Sequence, residues 1–352
     1  MTSRTQLLNS EAATRVDAML ARYRARITEG LQDALDSAGV EHVRLMRAHL
    51  GIDGSRAADG FGGKLLRPSL CLLCCEAVGG DASRALPGAV ALELTHNFTL
   101  IHDDIEDNSP TRHGRPTLWR RIGIPQAINA GDGMFVLAER TLLCMSDAGL
   151  EPQRVLEAAR VLNDACVRLC EGQYADIGFE TRATVSLQEY EAMIGGKTAA
   201  LLGASAAIGA IAGGADGGTV ATLGEGGWLL GLAFQVQDDV LGIWGEAAVT
   251  GKPVAEDIRS RKKSFPVVYA LDHLAAARAR ELVRIYESPA IDDAAVDAVL
   301  DLLDQAGARD ASTERAERWA REAVEALASL DLEPARRDEI EALAAFFVHR
   351  SA

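Results

Sequence analysis

Strand-forming sequence is scarce in this chain. Alternating Val/Ile/Thr patterns of period two are not convincing anywhere, and the apolar runs follow the 3.6-residue period. That excludes a β-sandwich or barrel and leaves an all-α protein. Positive charge is also in short supply. Lys and Arg number 36 against 51 Asp and Glu, a net charge of −15, which argues against a nucleic-acid partner and against steady adhesion to an anionic membrane. Met1 to Ser10 is polar, with no apolar core of a signal peptide. The longest bland apolar stretch, Ala199 to Ala212, falls short of a membrane span, so no stable membrane insertion is expected. Six cysteines are present. Cys71 and Cys74 have metal-like spacing but no matching Cys/His pair follows, and the apolar run around them makes them core thiols. A cytoplasmic protein with reduced thiols fits this usage. Neither a linker nor a repeat of fixed period divides the chain. One helical domain over residues 1–352 is the economical expectation, with residues 1–10 disordered.

What is present is a cluster of acids at the end of an apolar helix, in His96 to Thr117 (HNFTLIHDDIEDNSPTRHGRPT). Asp103 and Asp107 lie one turn apart on a shared face, roughly 6 Å along the axis. Asp104 lies about a third of a turn round, close enough to support them. Crowded carboxylates raise one another's pKa unless a cation neutralises them, and hard oxygen ligands of this kind suit Mg2+. Arg112, His113 and Arg115 follow, natural partners for phosphate oxygens. Taken alone, the stretch reads equally well as a solvated helix end and a basic loop. A second acidic site shifts that balance. Gln235, Asp238 and Asp239 (FQVQDDVLG) share a face near the C-terminal end of an apolar helix spanning Thr219 to Trp244, where acids oppose the helix dipole.

Two cationic motifs accompany the acids. GGKLLRP, Gly62 to Pro68, places Lys64 and Arg67 three residues apart at a helix start, a position that favours anions. As isolated residues they would read as surface charges. GGKT, Gly195 to Thr198, lacks the upstream glycine of a Walker loop and sets Lys197 in an uncharged neighbourhood. A capping pattern, Ser186 with Glu189, opens the helix before it. A mostly basic patch, containing Lys252, Asp257 and Lys262, follows the second acidic site.

This combination resembles the trans-isoprenyl diphosphate synthases from about Gly62 to Pro266. The family's DDxxD matches Asp103, Asp104 and Asp107, and its second acidic motif matches Asp238 and Asp239. GGKxxRP matches Gly63, Lys64, Arg67 and Pro68. KT matches Lys197 and Thr198, FQ matches Gln235, and D-x4-K matches Asp257 and Lys262. Three positions depart from the pattern. The last Asp of the second motif is Gly242, the second Arg of RRG is His113, and a position often occupied by Gln is His96.

The resemblance implies a helical bundle around a central cavity and a homodimer. It implies condensation of isopentenyl diphosphate with an allylic diphosphate, dependent on Mg2+, with three ions when substrate is bound. Asp103, Asp104, Asp107, Asp238 and Asp239 would face the metal. Arg112, Lys197, Lys252 and Lys262 would hold the allylic diphosphate. Gly63, Lys64, Arg67, His96 and His113 would hold isopentenyl diphosphate, with Arg115 able to compensate for His113. Thr198, Gln173 and Gln235 would offer oxygens to a carbocation. Phe98 and Thr99, just upstream of the first motif, would form the floor of the cavity. One aromatic with a small neighbour resembles enzymes making the twenty-carbon product. On an ideal helix Thr99 lies about 40° from the face of Asp103 and Phe98 about 140°, so Phe98 also reads as core. Three competing readings remain: a helical phosphohydrolase using His102–Asp103, a terpene cyclase, and a non-catalytic subunit.

Overall fold

The computed structural model describes residues 3–39, 41–52, 63–112, 114–245 and 255–349. Helix α1 runs Ser3–Ser37 and α2 Val43–Leu50. The backbone is already helical from Ser3, so residues 3–10 continue α1 where disorder is expected from sequence. Next come α3 (Leu66–Ala77) and α4 (Ala82–Glu106), the latter capped by Asp81, whose side chain accepts from the Ser83 N–H. The loop expected at 108–117 contains a minimal hairpin, β1 (Thr111–Arg112) paired antiparallel with β2 (Arg115–Pro116). Two-residue strands are too short for side-chain alternation to register in sequence.

Helices α5 (Leu118–Ile122), α6 (Ile124–Leu143) and α7 (Pro152–Glu180) follow, with Pro152 at the helix start, where its missing N–H costs nothing. Helix α8 (Leu187–Ile194) opens on the complete capping box of Ser186 and Glu189. It runs through a π-helical turn, Gly195–Ala199, into α9 (Ala200–Gly213). Gly214 closes α9 at φ 91°, and the Asp216 side chain caps α10 (Gly217–Trp244) by accepting from Gly218 and Thr219. The remainder is helical: α11 (Glu256–Arg259), α12 (Phe265–His273), α13 (Ala276–Tyr286), α14 (Asp293–Gln305), α15 (Ala308–Ala328) and α16 (Pro334–His349).

The protein is an all-α bundle. Helix α4 packs on α6, α3 and α9; α9 packs on α3, α7 and α10; α10 packs on α15. The continuous stretch Leu187–Gly213 is long and apolar enough to cross a membrane, where the sequence estimate starts it later and finds it too short. Its apolar 18-residue window is 94% buried inside the bundle, which makes it a core helix on which others stack. A second, smaller apolar core joins the end of α10 to α11–α14, with Ile243, Ile258, Val267 and Leu303 at its centre. Cys71, Cys74, Cys75 and Cys166 are buried free thiols, whereas Cys144 and Cys170 are exposed. Helix α4 ends its buried run in acidic residues, and α10 carries Asp238 and Asp239 before a last turn in which Val240 and Ile243 are buried.

Candidate active site

Helix α4 delivers the first acidic group. The Asp107 N–H donates to the Asp103 carbonyl at 2.8 Å, so the two stack one turn apart. Burial is the largest influence on the Asp103 carboxyl. With Asp107 and Glu106 beside it, it is pushed up to about 6 against the opposing pull of Lys197 and Arg112. The Asp107 carboxyl is raised for the same reasons. Asn108, at φ 50°, then turns the chain out of the helix. The Ser109 carbonyl is held by the Thr117 hydroxyl (2.8 Å) and the Trp119 indole (2.9 Å). The hairpin between them swings Arg112 back, so its Nε donates to Asp104 Oδ1 at 2.9 Å. Asp104 is only 2% exposed. Its Oδ1 secures Arg112.

Lys197 reaches the same acids from the π turn. Glycines make this possible: a Cβ on Gly172 would lie 2.2 Å from the Lys197 backbone N, and one on Gly196 would lie 2.4 Å from the Arg168 carbonyl. Helix α7 and the π turn thus touch backbone to backbone. Lys197 Nζ donates to Asp176 Oδ2 at 2.5 Å. Burial works against the ammonium, but Asp176, Asp103 and Asp107 outweigh it and hold its pKa above the usual lysine value. Gln173, one turn before Asp176, donates from Nε2 to Glu106 at 2.8 Å, while its Oε1 is buried with no hydrogen-bond partner among the described residues.

The second acidic group is built differently. Asp239 is fully buried. Its carboxylate accepts from Gln235 Nε2 (3.1 Å), Lys262 Nζ (3.0 Å), the Phe265 N–H (2.9 Å) and the Tyr190 hydroxyl. With its oxygens given to four donors, Asp239 positions Lys262. The Thr198 hydroxyl donates to Gln235 Oε1 at 2.8 Å, which commits the Gln235 oxygen. Asp239 and Asp257 hold the Lys262 ammonium well above the usual lysine range, against the opposing effect of burial.

A third group collects at the start of α3. Arg67 Nε is buried and without a hydrogen-bond partner among the described residues. Burial lowers the Arg67 pKa, while Glu93 and Asp238 support its charge. His96 is kept neutral by burial and by the nearby cations Arg67, Arg112 and His49. Lys64 is exposed, its ammonium 6.0 Å from the centre of the Phe346 ring. Gly63 stands at the entrance to this segment. His113 and Lys252 lie outside the described residues.

Phe98 packs against Phe135 of α6, ring centres 5.0 Å apart, and the Thr99 hydroxyl donates to the His96 carbonyl at 2.7 Å. His102 also turns to α6, where a Cβ on Gly131 would lie 2.2 Å from its Nε2. It points away from the side shared by Asp103 and Lys197, which removes the basis for a His-Asp phosphohydrolase.

The residues suit a divalent cation in their chemistry. Asp103 and Asp107, with Glu106 and Asp176 near them, crowd together, and their mutual repulsion and the burial of the first two would be relieved by a hard cation. Among the described residues no three His, Cys, Asp or Glu side chains form a ready-made metal cage. Sequence reasoning underrated Asp176, Tyr190 and His49. Each lies on a helix distant in sequence from the acidic motifs, and only packing brings them in.

Residues 57–303 match the family model described as Polyprenyl synthetase. The chain is 42% identical over 286 residues to a geranylgeranyl diphosphate synthase of Mycobacterium tuberculosis, covering 80% of each. It is 38% identical over 317 residues to a (2E,6E)-farnesyl diphosphate synthase of Mycobacterium bovis, covering 88% of this chain and 87% of that one. The crystal structure of a polyprenyl synthetase from Streptomyces coelicolor A3(2) superposes with a TM-score of 0.86 at 40% identity, over 94% of this chain and 99% of that one. The protein belongs to the polyprenyl synthetase family.

Proposed function

We propose that this prenyltransferase condenses isopentenyl diphosphate with an allylic diphosphate in a Mg2+-dependent reaction, giving a trans-prenyl diphosphate of twenty carbons. The observation that carries the reading is the separation of two cationic groups beside the acidic motifs. Lys197, Arg112 and Lys262 are each paired to a carboxylate around the acidic motifs. Arg67, beside His96, has a buried Nε with no hydrogen-bond partner among the described residues. The first group suits a diphosphate that leaves, the second a diphosphate that stays. A cyclase binds a single diphosphate and has no use for the second.

Bound Mg2+ would supply Lewis acidity toward the leaving diphosphate, with Asp103, Asp107 and Asp238 as its protein ligands. Lys197, Arg112 and Lys262 add fixed positive charge where negative charge grows. As the allylic C–O bond breaks, the free Oε1 of Gln173 faces developing positive charge without trapping it. Arg67, Lys64 and His96 hold isopentenyl diphosphate so that its double bond attacks the cation. The departing diphosphate can then take the proton lost from the new chain, so no side-chain base is required. The surrounding apolar helices keep water from the cation.

The twenty-carbon length rests on Phe98, supported by the relative named for that product but not by the one named for farnesyl diphosphate. A homodimer is supported by exposed apolar residues on neighbouring helices, Val136 (64% exposed) and Leu143 on α6, Leu156, Val167 and Tyr174 on α7.

EDTA should abolish turnover and added Mg2+ restore it. Asp103→Ala or Asp238→Ala should lower kcat at least about a hundredfold, and Asp104→Ala, acting only through Arg112, should do less. Near-normal rates in EDTA refute the assignment. Arg67→Ala should raise the KM for isopentenyl diphosphate more than that for the allylic substrate, and Lys262→Ala the reverse; an unchanged isopentenyl KM in Arg67→Ala would favour the cyclase. Phe98→Ala should lengthen the product by at least one five-carbon unit. If the ring only fills core, the same change costs about 3–5 kcal/mol and leaves the product unaltered, so chromatography and melting curves together decide. Light scattering should give twice the 37.4 kDa chain mass, and a monomer at micromolar concentration would exclude the dimer.

A further inference from the structure

The turn that carries Lys197 and Thr198 is not α-helical. The Gly195 carbonyl accepts from the Ala200 N–H, five residues on, where an α-helix would offer it to Ala199. Such π turns are rare and are kept mostly at functional sites. Two neighbours grip this one. On one side is the backbone contact with α7 at Gly172 and Gly196. On the other, α10 comes equally close: a Cβ on Gly231 would lie 2.5 Å from the Ala199 Cα. One turn further along α10, Gln235 accepts from the Thr198 hydroxyl. This approach lays the Trp228 side chain along α9 toward the π turn. A Cβ on Gly203 would lie 3.2 Å from the Trp228 Cβ, and one on Gly195 would lie 3.2 Å from its Cζ2, so the side chain spans from one glycine to the other. The Trp228 Nε1–H donates to the Gly195 carbonyl at 3.3 Å. That carbonyl thus meets two donors, one from its own helix and one from α10, with a lone pair for each. Trp228 belongs to none of the motifs above. It also lines a surface cavity of about 650 Å³ with Phe179, Met193 and Gly172, so it is half-buried and not sealed in the core.

We infer that Trp228 is a positioning residue: its indole N–H anchors the π turn at Gly195 and so fixes where Lys197 and Thr198 stand beside the allylic diphosphate. This inference rests on the condensation reading above. Lys197 lies two residues from the anchored carbonyl, and removing the extra residue of the turn would re-aim a side chain by about 100°. Held by α7 at Gly196 and by α10 at Gly195 and Thr198, the turn cannot relax to an α-helix without losing these contacts. The ammonium is therefore already in place when the leaving group forms.

The test uses the full-length protein and measures the KM for each substrate with kcat, the melting temperature, and calorimetric affinity for an unreactive allylic thiolodiphosphate with Mg2+. Trp228→Phe keeps an aromatic ring and removes the N–H. It should lower kcat and analogue affinity by about fivefold each, the worth of one hydrogen bond. The isopentenyl KM and the melting temperature should stay near wild type. Gly195 has ordinary helical backbone, φ −58° and ψ −42°, so an alanine there meets only the indole. The ring must then give by a few tenths of an ångström, which a bond already at 3.3 Å does not survive. Gly195→Ala should reproduce the Trp228→Phe pattern, and the double variant should be no worse than either alone, because both changes act through one bond. A kcat and an analogue affinity both within twofold of wild type in Trp228→Phe would overturn the inference. So would equal rises in both KM values with a fallen melting temperature, or losses that multiply in the double variant. A wild-type protein that binds the analogue but forms no product would instead overturn the condensation reading, and the affinities would still report on the π turn.

Discussion

Carboxylates held out of water beside one another are the constraint that shapes this molecule. Two charges about 6 Å apart repel by about 3 kcal/mol at the effective dielectric of a protein site, and the C-terminal end of a helix adds its own negative potential. Helices α4 and α10 both accept that cost. The fold offsets part of it with its own cations: Arg112 on Asp104, Lys197 on Asp176, Lys262 on Asp239. It leaves the Asp103 carboxyl under-compensated, with its pKa at about 6. An acid that the protein itself does not neutralise is one that an incoming cation can.

The acids therefore divide by task. Asp104 and Asp239 are nearly or fully buried and bound by protein donors, whereas Asp103 and Asp107 keep part of their surface open. Within each adjacent Asp pair, about 100° of helical rotation turns one side chain to the cleft and its neighbour into the supporting packing. The buried member holds a cation in place. Arg112 and Lys262 each depend on such an acid for their aim. In the proposed reaction the open member of each pair would be the metal ligand, with a cation-holder beside it.

Much of this was legible from the chain alone, because helical periodicity maps directly onto faces. Asp103 and Asp107 at i and i+4, Gln235 and Asp239 at i and i+4, and the capping box at Ser186 all appear where spacing puts them. What spacing could not give was direction relative to other helices. It could not tell that Asp104 and Asp239 would be taken by Arg112, Lys262, Gln235, Tyr190 and a backbone N–H, nor that His102 would turn to Gly131. Asp176 went unassigned because its significance lies in the approach of α7 to the π turn, set by two glycines 24 positions apart in sequence.

The stretch from Leu187 to Gly213 raises a different matter, that of its life before the fold exists. It is apolar enough to pass for a membrane span, and only the finished bundle hides it. While the chain is being made, such a segment is exposed to wrong partners, and a charge within it acts as a gatekeeper against self-association. Between Glu191 and Asp216 the sequence has one charged residue, Lys197. The ammonium that pairs with Asp176 is thus also the one charge that breaks the apolar part of the core helix before it folds.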